Sequence, residues 1–205
     1  LSENKTKLNC KVCQLVKLFK KGEPFKMSKR AGDFISAQDL ISEVNKDSIR
    51  FMMLNRSNDV ELDFDFDKVK EKTKDNPVFY VQYAYARINS IFRSLNIDLT
   101  NKILLNEDNF DLNELEEKII RKIFEWPKII ESVSIKFDLH KIPFYLYELS
   151  TLFHAYWSKG NENKEYKFID NDKIKRNEIL VVINLVAIVI QNGMRILGVS
   201  LPDKM

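Results

Sequence analysis

The sequence predicts a mainly α-helical protein, in which a short α/β segment over residues 1–75 precedes an all-α helical bundle over residues 76–205. Apolar and acidic residues alternate along residues 60–67, which indicates a half-buried extended segment. From residue 77 onward, apolar residues recur at three- and four-residue steps, as in helices with one buried face. Only five Gly and five Pro interrupt the 205 residues, and this scarcity favours long helices over short strands.

The elements of the first segment follow from apolar spacing and capping residues. Residues 12–18 are predicted to form a strand, and a Gly and a Pro mark the loop after it. Ser36 is suited to cap a helix that runs through Glu43, since its hydroxyl oxygen can accept a free amide hydrogen of the first turn. Asp47 is suited in the same way to begin a second helix.

Four helices are predicted in the bundle. Their expected starts are Asn76-Pro77, the vicinity of Leu112, Leu139 or Pro143, and the vicinity of residue 172. Pro127 is expected to kink or split the second helix, because proline removes a backbone donor. Residues 158–160 are expected to close the third helix, and Gly198 to end the fourth.

The bulk composition, 44% hydrophobic and 31% charged, is that of a folded globule rather than a disordered tail. The most apolar stretch, residues 179–190, is shorter than the ~20 residues that span a bilayer, so we expect a buried helix in a soluble protein without a membrane partner. Residues 1–75 hold too few strands to close a core, and the chain begins with Leu1 without the apolar run of a signal peptide. We therefore expect the end of a larger domain within a longer protein.

Positive charge is concentrated at the start of the chain. Residues 1–30 carry nine Lys and Arg against two Glu, a balance of +7, whereas the whole chain is +3 and the remainder is therefore −4. A basic end on a mixed body indicates a contact with polyphosphate or nucleic acid, with a solvated lysine face as the equal alternative.

Several residues that could carry chemistry are better explained structurally. Cys10 and Cys13 form a single CxxC without a second ligand pair, so we expect buried or incidental thiols and no protein-bound metal. His140 and His154 lack an adjacent acid or nucleophile and are expected on a helix surface or in packing. The acidic residues at 61, 63, 65 and 67 resemble a row of metal-binding carboxylates, but the solvent-exposed face of an edge strand is the favoured interpretation.

The sequence Lys26-Met27-Ser28-Lys29 is the strongest candidate for chemistry. It lies on a short loop that Pro24 opens and Gly32 closes, so two ammonium groups can reach one triphosphate. Ser28 adds a hydroxyl, and the loop backbone adds N–H donors. Such groups can stabilise the negative charge that develops on a departing pyrophosphate. A surface basic loop without a ligand is the alternative.

This tetrapeptide matches the KMSK signature of class I aminoacyl-tRNA synthetases, and Arg30-Ala31-Gly32 after it resembles the arginyl-tRNA synthetases in particular. Three further blocks resemble the same family: residues 47–54 leading to 62–65, residues 75–88, and residues 192–205. Together they cover the chain from about residue 14 to 205. Asp33 stands where the family usually has Asn, and the second class I signature, the HIGH block, is absent from this sequence.

The resemblance implies the end of a Rossmann catalytic domain with its connecting fold over residues 1–75, and a DALR-type anticodon-binding domain over residues 76–205. It implies ATP-dependent attachment of arginine to tRNA(Arg) in the cytoplasm, with ATP as substrate and Mg²⁺ accompanying it. Lys26 and Lys29 would stabilise pyrophosphate, and residues 26–29 would bind ATP. Arginine and ATP would also need the catalytic half that this sequence lacks, so we expect the chain alone to be an inactive monomer.

For tRNA reading, the resemblance points to Tyr80, Tyr83, Arg87, Phe153, Tyr156, Trp157 and Met205. Unpaired anticodon bases stack on aromatic faces, which suits these residue types, although packing in the core is an alternative for each aromatic ring. Two other functions remain open. One is a stand-alone helical tRNA-binding module in which the KMSK loop is a relic; the other is a class I synthetase for a different amino acid, such as cysteine or methionine.

Overall fold

The computed structural model describes residues 8–25, 35–97, 112–167, 169–170, 173–174 and 177–205. Within these residues the chain is mostly helical: a small three-stranded sheet with two helices comes first, and a bundle of five helices follows. The predicted fold class is therefore confirmed.

The sheet consists of β1 (Val16–Lys20), β2 (Glu23–Pro24) and β3 (Leu62–Asp65), in the order β2-β1-β3. β1 pairs antiparallel with β2 and parallel with β3. The predicted alternation holds in β3 and just beyond it, where Leu62, Phe64 and Phe66 are buried. The opposite face is polar: Glu61 pairs with Lys17 at 2.5 Å. The first strand starts at Val16, later than the predicted residue 12, and Val12 and Leu15 before it are exposed.

Two short helices pack against this sheet, α1 (Ala37–Val44) and α2 (Lys46–Leu54). Ser36 caps α1 as predicted: its hydroxyl accepts from the Asp39 amide, and the Asp39 carboxylate accepts from the Ser36 amide in return. The prediction that Asp47 caps α2 is wrong. Asn45 is the cap, and its side-chain oxygen accepts from the Ser48 amide.

The bundle contains α3 (Pro77–Ser94), α4 (Glu114–Phe124), α5 (Trp126–Lys136), α6 (Lys141–Glu162) and α7 (Asn177–Leu197). The predicted break at Pro127 is confirmed, because α4 ends and α5 begins immediately before it. The predicted end of α6 is wrong: the helix continues through Gly160 to Glu162. Gly160 is useful there, since a Cβ would lie 3.1 Å from the Tyr166 carbonyl oxygen of the returning chain.

The returning chain forms a short hairpin of β4 (Ile169–Asp170) and β5 (Lys173–Ile174), which the purely helical prediction for the bundle did not include. α7 then crosses the bundle. By length and composition alone, residues 178–197 could span a membrane, so the apolar stretch is longer than the sequence suggested. Its apolar side chains are the centre of the bundle core, with Val182, Ile183, Val186 and Ile190 completely buried. The predicted stop is confirmed: Gly198 has φ +66° and ends the helix.

Buried apolar residues form two clusters. The larger one fills the bundle, and the smaller one joins β3 to α1 and α2 through residues such as Val44, Phe64 and Val69. Phe51 of α2 belongs to the larger cluster and is completely buried. α2 therefore packs on both cores, and the predicted boundary between residues 75 and 76 stays a prediction.

Candidate nucleic-acid interface

One groove of about 680 Å³ lies between α3, α6, the β4 strand and the last residues of the chain. Four of the seven residues that the resemblance points to for tRNA reading line it: Tyr83, Arg87, Trp157 and Met205. Tyr83 and Arg87 face the same way because they are four residues apart on α3. Trp157 comes from α6, and Met205 comes from the end of the chain. Tertiary structure thus brings together side chains that are far apart in sequence.

Arg87 is at the centre of the groove. Its guanidinium carbon lies 4.4 Å from the centroid of the Tyr83 ring and 5.3 Å from that of Trp157. Nη2 donates to the Tyr83 hydroxyl at 2.5 Å. The Phe79 ring is stacked on Tyr83 at a centroid distance of 5.9 Å. The Arg87 guanidinium thus lies beside aromatic rings, and these neutral partners do not neutralise its positive charge.

His154 contacts Arg87 and orients its side chain. The side chain is 7% exposed, and burial, followed by the nearby Arg87 charge, lowers its pKa to about 4 despite the opposing hydrogen bond to the Tyr80 carbonyl. Arg87 Nη1 lies 3.2 Å from Nδ1, and the Tyr80 carbonyl oxygen lies 3.2 Å from Nε2. A guanidinium can only donate and a carbonyl can only accept, so these partners assign the neutral tautomer with its proton on Nε2. The expectation that His154 is a packing residue is confirmed, and its packing orients a groove residue.

Tyr80 lies beside the groove rather than in its lining. Its ring packs 4.4 Å from His154 and 5.1 Å from Tyr147, measured between centroids, and burial raises the pKa of its hydroxyl. The residue as a whole is half-buried. Its role as an RNA contact stays a prediction.

The prediction that Phe153 and Tyr156 contact RNA is wrong. Both side chains are completely buried in the bundle core, so neither ring can stack on a base in this structure. The Tyr156 hydroxyl donates to buried Glu116 at 2.5 Å. The sequence held a signal for this, because Leu146, Leu149, Phe153 and Tyr156 follow at three- and four-residue steps along one face of α6. Trp157 lies one residue further round the helix and is only half-buried.

The groove also contains residues that the sequence did not suggest. Arg93 and Lys204 line it and add two positive charges, and Ser90 and Ser94 add hydroxyls. Ser90 and Ser94 continue the spacing of Tyr83 and Arg87 along α3, which was the available signal. Lys204 had no such signal, since only the folded path of the chain end brings it here.

The predicted phosphate loop, Lys26, Met27, Ser28 and Lys29, lies outside the described residues, as does Asp33. The described chain stops after β2 on one side of the loop and resumes shortly before α1 on the other. Cys10 and Cys13 are both exposed rather than buried. Within the described residues, His, Cys, Asp and Glu form no group of three arranged to hold a metal ion.

Because the folded state disfavours charged His154, we expect stability to fall as pH drops. The pKa of His154 is lowered from 6.5 to about 4, so the unfolded chain binds the proton more readily. The stability that this group contributes is fully present only above about pH 6.5. From pH 7 to pH 5, this group should cost about 2 kcal/mol of unfolding free energy. Urea unfolding at both pH values measures the effect. His154→Gln should lose this pH-dependent part, whereas His140→Gln should keep it; equal pH dependence in both variants would contradict the assignment.

Known proteins resemble this chain in sequence over most or all of its length. The DALR anticodon binding domain family matches residues 81–205. Over its full length, the chain is 55% identical to the arginine–tRNA ligase of Pelagibacter ubique and 47% identical to that of Agrobacterium fabrum. It spans about a third of the length of these relatives, 36% in each case.

Solved structures give the same result for the fold. A Campylobacter jejuni protein described as an arginyl-tRNA synthetase superposes with a TM-score of 0.77 at 28% identity, over 94% of this chain and 40% of that one. The arginyl-tRNA synthetase of Thermus thermophilus shares the fold, with a TM-score of 0.65 at 19% identity, over 94% of this chain and 35% of that one.

Proposed function

The chain belongs to the DALR anticodon-binding domain family, and we propose that it serves as the tRNA-reading, carboxy-terminal part of an arginine–tRNA ligase. The complete enzyme would attach arginine to tRNA(Arg) at the expense of ATP. The observation that carries the proposal is the groove in which Tyr83, Arg87, Trp157 and Met205 meet. Anticodon bases are unpaired and splayed, so they can stack on aromatic and guanidinium planes such as these.

The charges of the groove suit RNA as well. Arg87, Arg93 and Lys204 face one cavity, and Arg87 is held by uncharged partners. Phosphate contacts from such cations supply affinity that is independent of sequence, whereas base contacts supply discrimination. A groove with both kinds of group can therefore hold an anticodon loop and distinguish its bases.

For the reaction itself, Lys26 and Lys29 are the proposed catalytic groups, and residues 26–29 the proposed ATP contacts. When the arginine carboxylate attacks the α-phosphate of ATP, pyrophosphate leaves, and the two ammonium groups would stabilise its developing charge. The terminal ribose hydroxyl of tRNA would then take the arginyl group. Mg²⁺ accompanying ATP, a cytoplasmic location and a monomeric state are part of the same proposal.

The stand-alone tRNA-binding module is less well supported. In that alternative, residues 1–75 would only support the bundle and would need no catalytic sequence. The alignment with the Pelagibacter ligase nevertheless covers all 205 residues, including the stretch with Lys26 and Lys29. A shared catalytic segment would explain this coverage, whereas a KMSK loop without function would not need to keep the similarity.

Substitution of Tyr83 tests the groove as an RNA surface. In the full chain, Tyr83→Ala should weaken tRNA(Arg) binding by the ~1–3 kcal/mol typical of one stacked base and should erase the preference over another tRNA. Tyr83→Phe keeps the ring and should cost less, although it loses the hydroxyl that accepts from Arg87. Filter binding at several salt concentrations measures both variants, and affinity should fall as salt rises because of phosphate contacts.

The matched control is Phe124→Ala, which removes an aromatic ring that is 78% exposed on α4, away from the groove lining. It should leave tRNA affinity unchanged. Thermal melting of each variant separates binding from folding. If Tyr83→Ala unfolds the chain, or leaves the tRNA preference intact, Tyr83 is a packing residue and the interface lies elsewhere.

A further inference from the structure

The last eight residues of the chain, 198–205, run back from the end of α7 to the groove; we refer to them as the terminal strap. We infer that Asp47 and Arg50 of α2 are positioning residues for RNA binding, because they anchor the terminal strap and thereby hold Lys204 and Met205 in the groove. This inference rests on the proposed function and adds residues that the matched domain, 81–205, does not include.

Arg50 anchors the start of the strap. Its Nε donates to the Leu197 carbonyl oxygen at 2.8 Å, across 147 positions of sequence. Its guanidinium also lies against Gly198, where a Cβ would come within 2.9 Å of Nε and 3.0 Å of Nη2. Glycine suits this position because φ is +66°, and a side chain here would also have to displace the Arg50 guanidinium.

Ser200 provides the second anchor, at the middle of the strap. Its hydroxyl donates to the Asp47 carboxylate, and its carbonyl oxygen accepts from Gln82 Nε2 at 2.9 Å. Val199 beside it is 5% exposed and packs into the bundle core. The strap is therefore held between α2 and α3 rather than by α3 alone.

The third anchor is on α3, close to the groove. Arg93 Nη1 donates to the Asp203 carbonyl oxygen at 2.8 Å, and the next two residues, Lys204 and Met205, line the groove. Neither Asp47 nor Arg50 is part of that lining. Their effect on the groove must consequently pass through the strap.

The physical reason for such anchoring is entropy. Terminal residues are poorly ordered unless other elements hold them, and ordering them during binding weakens affinity. α2 is a rigid support, because its Phe51 is completely buried in the bundle core. Anchors on this helix order Lys204 and Met205 before RNA arrives, so less of the binding free energy is lost.

The test uses the full chain with Arg50→Ala, Ser200→Ala, and Arg56→Ala as a control. Arg56 is an exposed arginine just beyond α2, away from the groove lining, and its loss removes the same charge. The first measurement needs no RNA: the rate at which carboxypeptidase releases Met205. Arg50→Ala and Ser200→Ala should raise this rate roughly tenfold, the change expected for loss of a hydrogen bond to a charged group, and Arg56→Ala should leave it unchanged.

The second measurement is tRNA(Arg) affinity in a double-mutant cycle. Arg50→Ala should bind roughly tenfold more weakly than the unmodified chain. In a chain that lacks residues 204–205, the same substitution should have no further effect, because its only route to the RNA has been removed. A role in stability alone would give the same Arg50 penalty in both backgrounds, as would a direct Arg50–RNA contact, and either would overturn the inference.

The remaining outcomes are also decisive. If Arg50→Ala and Ser200→Ala both leave Met205 release unchanged, these side chains do not anchor the strap and the inference fails. If the unmodified chain binds tRNA(Arg) and Arg50→Ala binds it equally well, only the positioning role is overturned. If the unmodified chain shows no binding to tRNA(Arg), the proposed function fails first, and the role assigned to Asp47 and Arg50 fails with it.

Discussion

In a complete arginine–tRNA ligase that contains this chain, Lys29→Ala should lower kcat for adenylate formation by about a hundredfold to a thousandfold while ATP binding changes little. The ammonium group of Lys29 would interact most strongly with the charge that develops on departing pyrophosphate. Loss of a donor that acts mainly in the transition state typically costs ~3–4 kcal/mol, and it appears in kcat rather than in KM. Arginine-dependent ATP–pyrophosphate exchange measures both constants.

Two companion variants sharpen this experiment. Lys26→Ala tests the second ammonium group of the loop and should also reduce kcat. Lys74→Ala removes an exposed lysine far along the chain and should change neither constant. An unchanged kcat with a raised KM for Lys29→Ala would make Lys29 a group that binds the ground state, contrary to the proposal.

Phe153→Ala should lower the free energy of unfolding by about 3–5 kcal/mol, the usual cost of removing a buried aromatic ring. The ring is completely buried in the bundle core, so its loss leaves a cavity that the neighbouring helices cannot fill without moving. Urea denaturation followed by circular dichroism measures the change. Phe153→Leu, which keeps most of the volume, should recover much of the stability.

Trp157→Ala is to be compared with Phe153→Ala, because both residues lie on α6. Trp157 is half-buried at the groove, so we expect a smaller loss of stability and a larger loss of tRNA affinity. The two variants should thus separate core from interface on one helix. If Phe153→Ala remained nearly as stable as the unmodified chain and lost tRNA binding, the sequence-based assignment of Phe153 to RNA would be restored.

α6 shows why the sequence predicted this site only in part. Aromatic residues suited to stacking are also suited to packing, and Phe153, Tyr156 and Trp157 belong to the same residue class. α6 contacts α3, α4, α5 and α7, so neighbouring helices cover much of its surface. Only the positions of those neighbours decide that the first two rings lie in the core and the third lies at the groove.

The elements themselves were predictable because their causes are local. Ser36 and Asp39 form a capping box within one turn, and Pro127 excludes itself from a helix interior. Gly198 accepts the positive φ that ends α7. The alternation along β3 likewise reflects side chains that point to opposite faces of a strand.

By itself, the residue pattern determined the mainly helical fold and several helix ends, because hydrogen bonds and side-chain periodicity within a few residues express them. The four predicted residues that line the groove came from the family resemblance instead. Tertiary structure alone decided that His154 orients Arg87 and that Phe153 is a core residue. It also decided that Arg50 holds the chain end across 147 positions. Such contacts depend on how whole helices pack, since burial and orientation are properties of the assembled bundle and local spacing does not encode which partners meet.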